Sequence, residues 1–448
     1  MDARGFAAKG VHVARAGAAV TRGPRLRFRR VSLLAAVAAV VGIAACEEHL
    51  GGGNACPLVC PEQAVAPRDT TVFAVVIDTS IAGFPPIGNE SNILIAFHKD
   101  TFETAGIFRY DSVPNFYQIP NTTRDTAIYH IDSAFLVAPR ATADTSEKFK
   151  APVTIEAFDV SAVDDTAGSA LLPLFTPNHL LGTVTYAPDS IRDTLRIPIN
   201  ANVVFNRMQN ATRLRVGVRV RSDSSVDLRF ASQQVGTGVV LNAYVTTGDS
   251  TQPPVSVPAL SKTPVNPSFL ATALGDFTVA LTPQAPPPAC VVRVGDFPWR
   301  RLYLRFALPR SIVDSTAIIR ATLMLTQRPN RNAVAAGDSI TVFPSTILSS
   351  PVVQDITAAL QFATPAPFPL GTDTVTPRDS GLRRLEIVNL VRAWEGVPDS
   401  VTPRVVAIQV VTEGNFAGAV DFYSLCAPAS VRPQIRLTYV PKPKLGFP

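Results

Sequence analysis

The chain is poor in charge: only 17% of its 448 residues are Asp, Glu, Lys or Arg. It is equally poor in the residues that most often carry chemistry, with five His, five Cys, three Met and two Trp. Blocks of Glu, Lys, Ala and Leu, from which long helices are built, are scarce beyond the N-terminal region, and neither a βαβ rhythm nor a long amphipathic helix is visible. These absences exclude helical bundles and doubly wound α/β folds. The apolar run Val31–Ala45 has 15 residues, short of the roughly 20 that a membrane-crossing helix needs.

An excess of one sign is also missing once placement is read. The net charge is +6. Before Cys46 stand Arg4, Lys9, Arg15, Arg22, Arg25, Arg27, Arg29 and Arg30 against Asp2, so that segment holds +7 and leaves −1 for the remainder. The part that folds is close to neutral, and no electrostatic case exists for a nucleic-acid partner.

Catalytic patterns are lacking as well. Gly248-Asp249-Ser250 and Gly337-Asp338-Ser339 echo the start of a lipase-type block, but no His occurs after His179 to serve as base. Both triplets read as turns. His12, His49, His98, His130 and His179 are scattered, with no pair at metal-ligand spacing. Asp100, Asp164 and Asp165 lack the alternating carboxylates of a calcium loop. No cofactor or metal is read, and an enzyme acting on glycans would need clustered carboxylates, His or Tyr that the sequence does not present.

What is present begins with an address. Arg25–Arg30, RLRFRR, precedes the apolar run, small residues and Cys46, the order of a secretory signal. Ile43-Ala44-Ala45-Cys46 resembles the lipobox of bacterial lipoproteins, which implies acylation at Cys46 and a signal peptide over 1–45. The other reading is an ordinary signal with a Cys nearby. Glu47, where an Asp is absent, points to the outer membrane, facing the periplasm or the cell surface. Residues 46–68 are rich in Gly and Pro and read as a flexible tether. Cys56 and Cys60 within it suit a small local disulfide in an oxidising compartment.

Beyond the tether the chain is a series of short segments rich in Val, Thr, Ile and Phe, set apart by many of its 39 Pro and 26 Gly. Leu214, Val216, Val218 and Val220 share one face of a strand and Arg215 and Arg219 the other; Ile435, Leu437 and Tyr439 alternate likewise. The series occurs twice. Ala134 and Ala321, like Ile155 and Val342, are 187 apart; Leu195 and Leu385, like Val218 and Ile408, are 190 apart. A nearly constant offset indicates duplication. The expectation is an all-β chain with two tandem antiparallel, jelly-roll-like β-sandwich domains: copy one over 69–250, a Pro-rich extended linker over 251–267, copy two over 268–441 and a tail over 442–448. One helical turn is expected around Asn389–Glu395.

Copy two resembles the DNRLRE-type domain, also classed as carbohydrate-binding module family 96. The resemblance rests on VVRVGDFPWRRLYLRFALP (Val291–Pro309), AIIRATLML (Ala317–Leu325), LEIVNLVRAWEG (Leu385–Gly396) and VDFYS with RPQIRLTY (Val420–Ser424, Arg432–Tyr439). It implies a jelly-roll-like sandwich on a secreted or surface protein. Copy one departs from it, with IPINANVVFNRM and no Trp where copy two has Trp394.

Two aromatics are candidates for stacking on sugar. Trp394, beside Leu390 and Val391, reads as a core anchor. Trp299, in Asp296-Phe297-Pro298-Trp299-Arg300-Arg301, reads as an exposed ring flanked by Arg300 and Arg301, and these three form the expected ligand-binding patch. Cys290 and Cys426, left over after the tether cysteines, are expected to pair. The functional expectation is a non-catalytic, lipid-anchored envelope protein that binds polysaccharide; the other reading is a structural lipoprotein that binds an envelope protein.

Overall fold

The computed structural model describes residues 66–442 apart from residues 112, 120–121, 142–148, 165, 236–237, 249–254, 260–274, 331–338, 362–370, 412 and 414–416. The signal peptide, Cys46, Cys56, Cys60, His12, His49, nearly all of the tether and residues 443–448 lie outside the described residues, as do Asp165, Asp249, Ser250, Gly337 and Asp338.

A strand pair, β1 (Arg68–Val72) and β2 (Val75–Phe84), comes first among the described residues. Copy one follows as β3 (Asn92–His98), β4 (Phe102–Tyr110), β5 (Phe116–Gln118), β6 (Asp125–Pro139) and β7 (Val153–Asp159). It continues through β8 (Leu180–Tyr186), β9 (Thr194–Ile199), β10 (Leu214–Arg221), β11 (Val226–Ala231) and β12 (Val240–Thr247). A second pair comes next, β13 (Val255–Ala259) and β14 (Asp276–Thr282). Copy two is β15 (Val291–Gly295), β16 (Trp299–Phe306), β17 (Thr316–Arg328), β18 (Ile340–Thr346) and β19 (Asp373–Val375). It ends with β20 (Gly381–Glu386), β21 (Val405–Val410), β22 (Ala419–Tyr423) and β23 (Gln434–Pro441).

All pairings are antiparallel, and both copies have the same wiring. β4 pairs β10 as β16 pairs β21, and β10 pairs β7 as β21 pairs β18. β6 pairs β12 and β9 as β17 pairs β23 and β20. The duplication is therefore structural, with β7 and β18 offset by 187 at both ends. In copy two, Gln327 and Arg328 pair with Phe422 and Asp421, so its two layers join into one eleven-stranded sheet. Copy one has only the bridge between Arg140 and Phe230 at the equivalent place and keeps seven-stranded and five-stranded sheets.

Each sandwich encloses its own core. Ile95, Phe108, Leu136, Val218 and Leu241 are among the residues that fill the first, and Leu304, Phe306, Leu323, Trp394 and Leu437 are among those that fill the second. Leu214, Val216, Val218 and Val220 are all fully buried, as their alternation predicts. Their strand is covered on its other face too: Arg219 pairs with Glu156 at 2.7 Å and stacks on Phe158 at 4.7 Å, and Arg215 is buried. Trp394 is a core anchor, 5.7 Å from Phe306 between ring centres.

Among the short helices of the described residues, two bear on the expectations. α1 (Ala201–Gln209) buries Val204 and Met208, and Asn200 caps it by accepting from the backbone N–H of Asn202 and Val203. It occupies the IPINANVVFNRM segment, where no helix was expected. α2 (Val388–Arg392) supplies the expected turn and buries Leu390 and Val391. Cys290 and Cys426 are disulfide-bonded, with 5.2 Å between their Cα atoms.

The domain boundaries differ from expectation. β1 pairs β23 and β2 pairs β16, so the first strands of the folded chain belong to the second sandwich. β13 pairs β12 and β14 pairs β4, so strands expected in the linker and in copy two complete the first. The contiguous unit is β3–β14, and the second unit, β15–β23, is closed by the N-terminal pair. Alternation identifies a strand but not the edge it joins, and these edges are alike. Val72 sits opposite Ile435 as Ala259 sits opposite Leu241, and Arg68 opposite Tyr439 as Val255 opposite Val245.

Candidate functional site

The expected patch does not form a surface. Along β16 the side chains alternate between two buried environments: Leu302, Leu304 and Phe306 enter the core of copy two, while Trp299 and Tyr303 enter an apolar layer between the sandwiches. Phe84, opposite Trp299 in the paired strand β2, joins that layer from the same sheet, and Leu94 and Phe102 join it from copy one. Trp299 is 4% exposed, with its ring edge-to-face on Phe297 at 4.5 Å; Phe297 in turn lies 5.9 Å from Phe102. Trp299 thus has no ring face to offer a sugar. Burying a ring of this kind contributes roughly 2–3 kcal/mol, so it serves as a bolt between domains.

The two arginines are also engaged. Arg301 forms a two-pronged pair with Glu413 at 2.7 and 2.6 Å and lies 4.0 Å over the Phe84 ring. Burial pushes the Glu413 carboxyl up, against the pull of Arg301. Arg300 lies 3.7 Å from Asp296. The sequence RRLYLRF could not reveal this, because a strand buried on both faces still alternates.

The structure brings a different set of residues together. A groove of about 920 Å³ runs where the turn between β3 and β4, the proline segment 283–288 and the paired ends of β17 and β22 meet. Its base is an ion cluster. Buried Arg293 donates to both carboxylate oxygens of Asp421 at 2.6 and 3.0 Å, to Asp296 at 2.9 Å and to the Ala285 carbonyl at 2.8 Å. Burial works against the Arg293 charge, but Asp421 and Asp296 outweigh it and hold the guanidinium protonated above its usual range. Burial likewise raises the Asp296 carboxyl, opposed by Arg293. With all its partners internal, this cluster stiffens the groove floor and is not a reactive group.

Above the floor Gln284 donates to the Ala417 carbonyl and Thr101 to the His98 carbonyl, but three other polar side chains are unengaged. Among the described residues, no hydrogen bond or ion pair holds the side chains of Arg328, Tyr423 or Asp100, all of which line the groove. Arg328 and Tyr423 are half-buried, and Asp100 sits exposed on its turn with a φ of 61°. Pro283, Pro286 and Pro288 form an apolar wall. Half-burial fixes much of each side chain while leaving its polar end available. The arrangement offers a cation, a hydroxyl and a carboxylate beside apolar proline rings. It has no nucleophile with a base beside it and, among the described residues, no group of three or more His, Cys, Asp or Glu able to hold a metal. Asp164, one of the acids weighed for calcium, is paired with Arg213.

Two further buried acids lie at the junction. Glu90, on the crossing between β2 and β3, accepts from the Gly88 N–H at 2.6 Å, and burial pushes its carboxyl up to about 8. Asp276, at the start of β14, accepts from the Gln233 N–H at 3.0 Å and is raised by burial to about 6. Both serve to fix loops. In sequence, Pro286, Arg328 and Tyr423 are far apart, and nothing local marks them as neighbours.

No family model and no curated protein matches this sequence. Among solved structures the chain is similar to proteins of infectious bursal disease virus. One is from the T13 viral particle, with 12% identity over 84% of this chain and 74% of that one and a TM-score of 0.12. Another is the VP2 subviral particle, with 12% identity, 84% and 76% coverage and a TM-score of 0.10. A third, from the derived T=1 particles, has 13% identity, 85% and 74% coverage and a TM-score of 0.11. Scores of this size describe no common fold, and no property of those proteins carries over.

Proposed function

We propose that this chain is a non-catalytic, lipid-anchored protein of the outer membrane whose folded part binds polysaccharide in the groove between its two sandwiches. The lipobox at Cys46 supports the anchor, and the tether after it supports a binding part held away from the membrane. The DNRLRE-type resemblance of copy two supports a surface role. One observation carries the ligand class: Arg328, Tyr423 and Asp100 face an open groove unengaged, beside a wall of proline rings. Sugars present hydroxyls at their edges and C–H bonds on their faces, and this groove has partners for both.

A structural lipoprotein binding an envelope protein is the second reading. It draws support from β1, which ends the eleven-stranded sheet, with Phe73 beside it 60% exposed.

The test is affinity electrophoresis of the chain carrying Cys46→Ser against a panel of neutral and acidic polysaccharides, beside Arg328→Ala and Tyr423→Ala. Retardation by at least one polymer, lost in both variants at unchanged melting temperature, is the expected result. Retardation that survives both variants, or none by any polymer, overturns the proposal.

A further inference from the structure

The two sandwiches are completed by equivalent strand pairs, and the equivalence shows what each is built to accept. β1 lies on β23 as β13 lies on β12, and β2 lies on β16 as β14 lies on β4. Each sandwich therefore carries an acceptor site made of two strand edges, filled by a pair reached through a short crossing from the other sandwich. The crossings are residues 85–91 and 283–290.

The two donors differ in one respect. β13 and β14 are held between other described elements at both ends, whereas β1 and β2 are the first elements among the described residues. The N-terminal pair can leave its acceptor without unthreading any other described element.

Its attachment is chiefly backbone pairing along edges. No residue of β1 is buried, and of the ten residues of β2 only Val75 and Phe84, at its ends, are. Side-chain anchors add to it: Phe84 is buried beneath Arg301 at the end of the pair, and Asp69 accepts from Arg436 at 3.0 Å and from Thr438. The Leu425 N–H donates to Asp78 at 2.7 Å, and Ser80 bonds both the N–H and the carbonyl of Arg293 at 2.9 and 3.0 Å. A terminal pair whose middle is only half-buried opens locally at lower cost than the whole fold. The edges it uncovers on β23 and β16 fit the same pair from any identical chain.

We propose that two copies of this chain exchange residues 66–84, each N-terminal pair completing the second sandwich of the other copy. The occupant is a second copy because it alone carries the register, Asp78 and Ser80 that the acceptor meets. Residues 85–91 act as the hinge, and exchange of an identical element is a low-cost route to a dimer. The inference is independent of the polysaccharide reading.

Thr71 and Arg436 are exposed and directly opposite each other across β1 and β23, which supplies the test. In a full-length background of Cys46→Ser, Cys56→Ser and Cys60→Ser, one tagged chain carries Thr71→Cys and a differently tagged chain carries Arg436→Cys. After incubation a few degrees below the unfolding midpoint and mild oxidation, a covalent species with both tags is expected at about twice the 47.8 kDa chain mass. Its fraction should rise with protein concentration. Thr71→Cys mixed with Ser400→Cys, an exposed position away from β1, sets the background. A chain carrying both Thr71→Cys and Arg436→Cys, oxidised before the incubation, should close internally and then stay monomeric through it. Mixed-tag product no greater than background, with the double variant closing normally, overturns the exchange; failure of the double variant to close overturns the pairing on which it rests.

Discussion

Glu90 makes the stability of this fold depend on pH in a calculable way. The carboxyl is buried on the crossing between β2 and β3, and burial raises it from 4.5 to about 8. Below pH 4.5 it is protonated both folded and unfolded, so the shift costs nothing. Between about 4.5 and 8 the unfolded chain releases the proton while the folded chain keeps it, so stability falls by roughly 1.4 kcal/mol per pH unit. By pH 7 the loss from this group is about 3 kcal/mol. Asp276, raised from 3.8 to about 6, adds a loss of the same sign across its own lower window. Glu90→Gln mimics the neutral carboxyl, keeping an acceptor for the Gly88 N–H and removing the proton equilibrium. Guanidinium unfolding of both proteins at pH 4.5, 5.5, 6.5 and 7 isolates the effect, because packing changes are common to every pH. The stability of Glu90→Gln relative to the parent should rise by about 3 kcal/mol from pH 4.5 to 7. Two parallel stability curves would refute the reasoning.

Two further perturbations follow from the same structure. The disulfide between Cys290 and Cys426 spans 136 residues, and replacing both by Ser should lower unfolding free energy by up to about 5 kcal/mol through the freed chain entropy, read from denaturant midpoints. A permuted chain that starts at residue 285, joins residue 441 to residue 68 by a short Gly/Ser link and ends at residue 284 should keep the parent's β-rich circular dichroism and a single cooperative transition. Its units would then be contiguous, and a permutant that fails to fold would refute the closure of copy two by the N-terminal pair.

Much of the architecture was legible because it is written in alternation. The inward set of β10, the two-copy offset and the partnership of Cys290 with Cys426 all follow from local pattern or simple constraint. What was not legible shares one physical cause. Strand identity is local, whereas strand partnership is decided by which edge is free, and β12 and β23 each receive a five-residue edge strand in an antiparallel register. The same cause misdirected the reading of Trp299. An aromatic flanked by arginines beside a turn reads as exposed unless one knows that a second sandwich packs on that face. The groove was hidden for the converse reason: Arg328, Tyr423 and the prolines are far apart in sequence and become a set only when the two copies are fused.

That fusion ties the proposed ligand site to the closure of the fold. The groove has one wall from the β3–β4 turn of copy one and another from β17 and β22 of copy two, so it exists only while the sandwiches hold a fixed relation. The apolar layer of Phe84, Phe102, Phe297 and Trp299 holds it, and Phe84 belongs to the N-terminal pair itself. Ser80 of the same pair bonds the backbone of Arg293, whose side chain is the groove floor. Trp299→Ala would cost about 3–5 kcal/mol and blunt ligand binding by loosening the walls, although the ring touches no ligand. Binding lost with that variant at lowered melting temperature, and lost with Arg328→Ala at unchanged melting temperature, would separate the residue that holds the groove from the one proposed to contact the ligand.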